Sequence, residues 1–109
     1  MSSPLCASGF TQSVEIVVST HNVPALVTAL TDRIDRFTST YSGFVGACVL
    51  VSESQDEVQM LLSWISKDHG EQALSNAKDG EPDLFQIAND FQASSMSFRT
   101  FVVAAELRL

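Results

Sequence analysis

Residues 13–20, SVEIVVST, alternate in polarity and are rich in β-branched side chains, a pattern that predicts a strand. From Asn22 the period changes. Leu26, Leu30, Ile34, Phe37 and Tyr41 recur at helical spacing, with Arg33 and Arg36 beside Asp32 and Asp35 on a solvated face. Asn22 can cap the start, Pro24 is tolerated in the first turn, and Gly43 ends the run. Two apolar stretches, 43–53 and 57–66, flank a polar turn and read as a hairpin. In the first, Val45, Ala47, Val49 and Val51 share one face, and Phe44, Gly46, Cys48 and Leu50 the other. Ser66 can cap a second helix holding Ala73, Leu74 and Ala77, which KDGEP breaks. Pro82 opens a short third helix with Leu84, Phe85, Ala88 and Phe91 expected inward, and 95–109 reads as a last long strand. Residues 1–12 are small and polar, an expected flexible arm, which leaves 13–109 as one domain.

The order is β-α-β-β-α-β, an α+β, ferredoxin-like arrangement with a four-stranded antiparallel sheet. Right-handed crossovers place strand one beside strand three, for a sheet order of 4-1-3-2. Both crossover helices then lie on one face. The other face is bare, yet the alternation assigns it apolar side chains in all four strands. Leaving several hundred Å² of such surface in water costs about 10 kcal/mol at roughly 25 cal/mol per Å². The expected cover is the same face of a second copy, a homodimer through the sheet face.

Composition narrows the function classes. Of 109 residues, 45% are hydrophobic and only 17% charged, a low charge for a domain that wets its whole surface. The net charge of −7 supplies no basic stripe for phosphates, so neither nucleic acid nor an anionic membrane surface is an expected partner. No apolar stretch nears the roughly 20 residues of a membrane span, and the start lacks the basic and apolar regions of a secretion signal. Cys6 and Cys48 read as reduced thiols in a cytoplasm, with a redox-active Cys48 as the alternative.

The segment YSGFVGACVLVSESQDEVQMLLSWISKDHGEQAL resembles the signature of the antibiotic biosynthesis monooxygenase family. Gly43, Phe44, Gly46, Ser52, Trp64 and Ser66 match its layout of a Gly-Phe after helix one, a strand, a short turn, and a strand ending in Trp-x-Ser. The resemblance covers roughly residues 13–108. It implies a dimeric α/β barrel, and an oxygenase that converts phenols or anthrones to quinones with neither metal nor flavin. Some members carry an Asn four residues before the strand Trp. Met60 stands there in this chain and cannot hydrogen-bond a developing oxyanion. The heme-degrading branch carries an Asn in strand one and a Trp and His ten residues apart, which this chain lacks.

Trp64 shares a strand face with Met60, and the resemblance implies that it helps form a pocket where its indole stacks on a flat ligand. The other reading is a large core residue. Phe37, Phe85 and Phe91 are the expected apolar walls. His69, in the first turn of helix two, is the candidate catalytic base for a phenolic proton, or else a surface histidine, and His21 at the strand-one exit poses the same choice. Two isolated histidines predict no metal site. Glu15 and Arg99 lie on neighbouring strands and can pair, or Arg99 can clamp an anion. Two functions remain open: a cofactor-independent monooxygenase for a small aromatic or quinol-like ligand, and a non-catalytic small-molecule-binding or stress-related protein.

Overall fold

The first strand, β1 (Phe10–Val17), begins three residues before the alternation at 13–20 suggested. The computed structural model describes residues 9–107, so most of the expected arm lies outside the described residues. From Phe10 the period of two already runs: Phe10, Gln12, Val14 and Ile16 are all buried. Helix α1 (Val23–Arg36) follows a 3-10 turn and carries Pro24 in its first turn. It stops at Arg36, and a second 3-10 turn at Thr38–Thr40 carries the chain to Tyr41. Asn22 makes no capping bond; its Nδ2 donates to the Phe91 carbonyl at 3.0 Å and ties the helix entry to the chain before the last strand.

The hairpin is β2 (Phe44–Val51) and β3 (Glu57–Trp64). Its turn is closed by Ser52, whose Oγ accepts the N–H groups of Asp56 and Glu57. A register shift between Phe44 and Gly46 interrupts the pairing. Phe44 therefore pairs with Trp64 and lies on the same face as Ala47 and Val49, not on the face with Gly46 and Cys48 that strict alternation assigned. Helix α2 (Lys67–Ser75) is capped by Ser66, which accepts the His69 N–H. A short α3 (Leu84–Asp90) leads to β4 (Ser95–Val102), which ends well before residue 109.

The sheet order is β2-β3-β1-β4, all antiparallel. This is the 4-1-3-2 order read from the other edge. The expected barrel is not formed: the four strands make an open sheet whose edges, β2 and β4, do not pair with each other. Closure of a sheet around a filled interior takes about eight strands, so four cannot curl far enough.

Registers sort the two faces. On the inner face, rows such as Val49–Met60–Val14–Phe98 and Ala47–Leu62–Gln12–Thr100 lie under the helices. Val14, Ile16, Val58, Met60 and Trp64 pack there with Leu26 and Leu30 of α1 and Leu84 and Ile87 of α3. The outer face is mixed rather than apolar. Its rows read Leu50–Gln59–Glu15–Ser97, Cys48–Leu61–Ser13–Arg99 and Gly46–Ser63–Thr11–Phe101. A polar seam runs through it: Gln59 donates to Ser13 Oγ at 2.9 Å, and Arg99 pairs with Glu15 at 2.6 Å. The expected Glu15–Arg99 pair is present, and apolar side chains, Leu50, Leu61 and Phe101 among them, lie around it.

Candidate functional site

A cavity of about 190 Å³ lies between the inner sheet face and the helices. Its floor is Gln12, Val14, Leu62 and Trp64, with Phe98 and Thr100 of β4 beside them. Its roof comes from α1 and the chain around it (Arg33, Thr38, Tyr41), from Ala73 and Leu74 of α2, and from Glu81 and Leu84. A cavity of about 150 Å³ takes a benzene ring, so this one has room for at least one aromatic ring.

Two polar constellations interrupt the apolar wall. The first is on the floor. Trp64 Nε1 donates to Gln12 Oε1 at 2.9 Å, and Gln12 Nε2 donates to the Gly70 carbonyl at 3.2 Å. Trp64 is 1% exposed and Gln12 8%, so both bonds are shielded from water. The indole is further fixed edge-on to Phe44 at 5.5 Å and Tyr41 at 6.4 Å between ring centres.

The second is on the roof. Arg33 donates from Nε to the Pro82 carbonyl at 2.9 Å and from Nη2 to Glu81 Oε2 at 3.1 Å. The other Glu81 oxygen accepts the Tyr41 hydroxyl at 2.5 Å, and that hydroxyl accepts the Lys78 backbone N–H at 3.0 Å. The Lys78 ammonium bonds Thr40 Oγ1 and sits 4.8 Å over the Tyr41 ring. Burial pulls the Arg33 guanidinium below its ordinary pKa, and Glu81 opposes that pull. Burial, then the bond to Glu81, pushes the Tyr41 phenol above its ordinary value. The loop after α2 is thereby latched over the cavity by a three-residue cluster.

Of the residues singled out from the sequence, Trp64 and Arg99 line this cavity, Arg99 with its guanidinium paired to Glu15. Met60 is 0% exposed and lies within the core. Phe37 is the half-buried residue after α1, with the Arg36 guanidinium 5.3 Å over its ring. Phe91 is half-buried against the core. Phe85 points outward, 64% exposed, and touches Phe98 at 5.6 Å between ring centres. The short helix turns Leu84, Ile87 and Ala88 inward, which leaves position 85 on the other side. His69 stands apart from the cavity lining, with Nδ1 2.7 Å from Ser66 Oγ and its ring against Gly43. His21 is exposed.

Gln12, Arg33, Tyr41 and Glu81 are polar wall residues that were not singled out for the site. Gln12 continues the alternation of β1 backwards from Val14, a signal hidden by assigning residue 12 to the arm. Arg33 sits on the buried stripe Val23–Leu26–Leu30–Arg33 rather than on the solvated face. Among the described residues no group of three or more His, Cys, Asp or Glu side chains is placed to hold a metal ion. No described helix is long and apolar enough to cross a membrane.

No family model matches this chain, and no curated protein does. Solved structures do. SnoaB, a cofactor-independent oxygenase from Streptomyces nogalater, aligns at a TM-score of 0.64 with 16% identity, over 93% of this chain and 98% of its own. A candidate antibiotic biosynthesis monooxygenase from Deinococcus radiodurans aligns at 0.74 with 12% identity, over 92% and 97%. A dimeric ferredoxin-like protein from an uncultured marine organism aligns at 0.72 with 15% identity, over 97% and 96%. The chain has the fold of the antibiotic biosynthesis monooxygenase structures, the family that its hairpin residues resemble.

Proposed function

We propose that the cavity takes up a small flat aromatic or quinol-like molecule and that the chain oxidises it with dioxygen, using neither metal nor flavin. The observation that carries this reading is the cavity itself: an apolar slot beside a fixed indole, in a fold shared with a cofactor-independent oxygenase. In such chemistry the ligand supplies the electrons. With an anthrone, a CH₂ group and one O₂ give a carbonyl and one water, once the ligand has lost a proton. Glu81 is the carboxylate on the cavity wall, and we assign it that proton, since His69 stands away from the lining. Arg33 holds that carboxylate in place through the 3.1 Å contact to its Oε2, and Trp64 supplies the stacking surface. Met60 favours the binding-only alternative, because its buried thioether offers a developing oxyanion nothing.

The test is oxygen uptake by metal-stripped protein with a panel of anthrone and dihydroxynaphthalenes. Uptake should exceed buffer, fall more than about 10-fold in Glu81→Gln, and survive in His69→Ala. Uptake no faster than buffer for every compound refutes the oxygenase reading and leaves the binding-only one.

The outer sheet face is the second part of the proposal. We assign it to a second copy of the chain, in the cytoplasm. Leu50 and Phe101 are 46% and 45% exposed there, Cys48 is an exposed free thiol, and a dimeric protein shares the fold. The Glu15–Arg99 seam would set the register of the two copies, and the apolar side chains around it would supply the burial.

A further inference from the structure

Gln12 is 8% exposed, and the orientation of its side chain is not a matter of choice. Trp64 Nε1 can only donate, so the atom facing it at 2.9 Å must be the amide oxygen. The Gly70 carbonyl can only accept, so the atom facing it at 3.2 Å must be the amide nitrogen. An amide nitrogen carries two hydrogens. One goes to Gly70, and no other bond from this nitrogen is made among the described residues. The amide is planar, so fixing one N–H fixes the direction of the other. Gln12 lines the cavity beside Trp64, where a flat ligand would lie.

We propose that Gln12 is the polar anchor of the cavity: its second amide N–H donates to the ionised oxygen of a phenol-type ligand stacked on Trp64. The inference rests on the aromatic reading of the cavity given above and adds the residue that holds the ligand's ionised oxygen. It also supplies the oxyanion donor that Met60 cannot be. A donor held in place by two other bonds needs no reorganisation when charge develops, the condition under which such donors contribute most. Gln12 reaches this position because β1 and β3 pair Gln12 with Leu62, one step along the sheet from the Phe10–Trp64 pair.

The probes are 4-nitrophenol, whose phenolate absorbs in the visible, and 4-nitroanisole, which has the same ring and no acidic proton. Wild-type protein should bind both and should lower the ionisation midpoint of bound nitrophenol below its value in water. Gln12→Leu should weaken nitrophenolate binding by about 10–100-fold, the range for one hydrogen bond to a charged group, with nitroanisole changed less than about 3-fold. Gln12→Glu keeps an acceptor for Trp64 and should show the same selective loss, which decides the matter if circular dichroism shows Gln12→Leu unfolded. Equal losses for both probes, no loss for nitrophenolate, or an unshifted midpoint in the wild type would each overturn the anchor and leave the aromatic site standing. A wild-type protein that binds neither probe would overturn the aromatic reading itself, and the anchor with it.

Discussion

Gly43 is where backbone geometry and packing can be separated by substitution. Its φ is +82°, and a Cβ built on it would lie 2.3 Å from His69 Cγ and 2.7 Å from His69 Cβ. Gly80 has the same φ, but its nearest neighbour, Phe37 Cζ, is 4.0 Å away. Gly46 has ordinary φ and nothing within 4 Å. Alanine at the three sites therefore reads clash plus strain, strain alone, and neither. The left-handed conformation costs a non-glycine residue about 1–2 kcal/mol. Overpacking adds about 1–3 kcal/mol where neighbours must move. Gly43→Ala should then cost about 2–5 kcal/mol, Gly80→Ala about 1–2 and Gly46→Ala within about 0.5 of zero. The assay is urea denaturation followed by circular dichroism and by the fluorescence of Trp64, the single tryptophan. A second arm repeats Gly43→Ala in a His69→Ala background. That removes the two closest atoms but leaves the Cβ, so the penalty should fall by about 1–2 kcal/mol without vanishing. A Gly43→Ala cost no larger than that of Gly80→Ala would refute the contact between helix α2 and the start of β2.

Other outcomes follow from the same structure. Arg33→Met leaves the Glu81 carboxylate, 6% exposed, without its guanidinium and should cost about 3–5 kcal/mol by denaturation, whereas Arg36→Met, in an exposed pair with Asp32, should cost about 0–1. Tyr41 is the one tyrosine, so absorbance of the tyrosinate reads it alone, and its midpoint should lie above 10.0. Because the folded value is raised, its contribution to stability is intact below about pH 10 and is lost as pH climbs through the folded midpoint; Tyr41→Phe should flatten that decline, and an equal decline would remove Tyr41 as its source. In sedimentation, the wild type should run at twice 11.8 kDa and Leu50→Glu or Phe101→Glu near the single-chain mass, while an unchanged dimer in both variants would place the seam elsewhere.

The layout of elements was legible because the period switches cleanly between two and 3.6, and strand order followed from crossover handedness alone. What misled was local. The shift between Phe44 and Gly46 moves Phe44 across the sheet, an event that alternation cannot encode because one inserted residue reverses every later assignment. The second face carries apolar side chains in all four strands but is interrupted by polar ones for a related reason. The strands hold enough apolar residues, but β1, in the middle of the sheet, sends Thr11, Ser13 and Glu15 outward between them. In α1, a guanidinium on the buried stripe looks like a surface charge until its partner is known. That partner, Glu81, is 48 residues away in a loop, so no local pattern joins the two.

The six residues that carry the family resemblance illustrate how fold and chemistry divide. Ser52 closes the hairpin turn, Ser66 caps α2, Gly43 admits the His69 ring, and Phe44 and Gly46 bracket the register shift that brings Phe44 onto Trp64. Five of the six thus build the hairpin and dock α2 on its end. The polar cavity-lining groups Gln12, Tyr41, Glu81 and Arg33 come from β1, α1 and two loops outside that role. A resemblance concentrated in the hairpin therefore carries the architecture faithfully and says little about what the cavity holds. Trp64 is the exception, since it belongs to both sets: its ring edge is fixed by Phe44, and its N–H is answered by Gln12. Ser52 and Gly43 lie outside the cavity lining, whereas Gln12 and Glu81 line it. A substitution at Trp64 therefore touches the packing of the hairpin and the wall of the cavity at once.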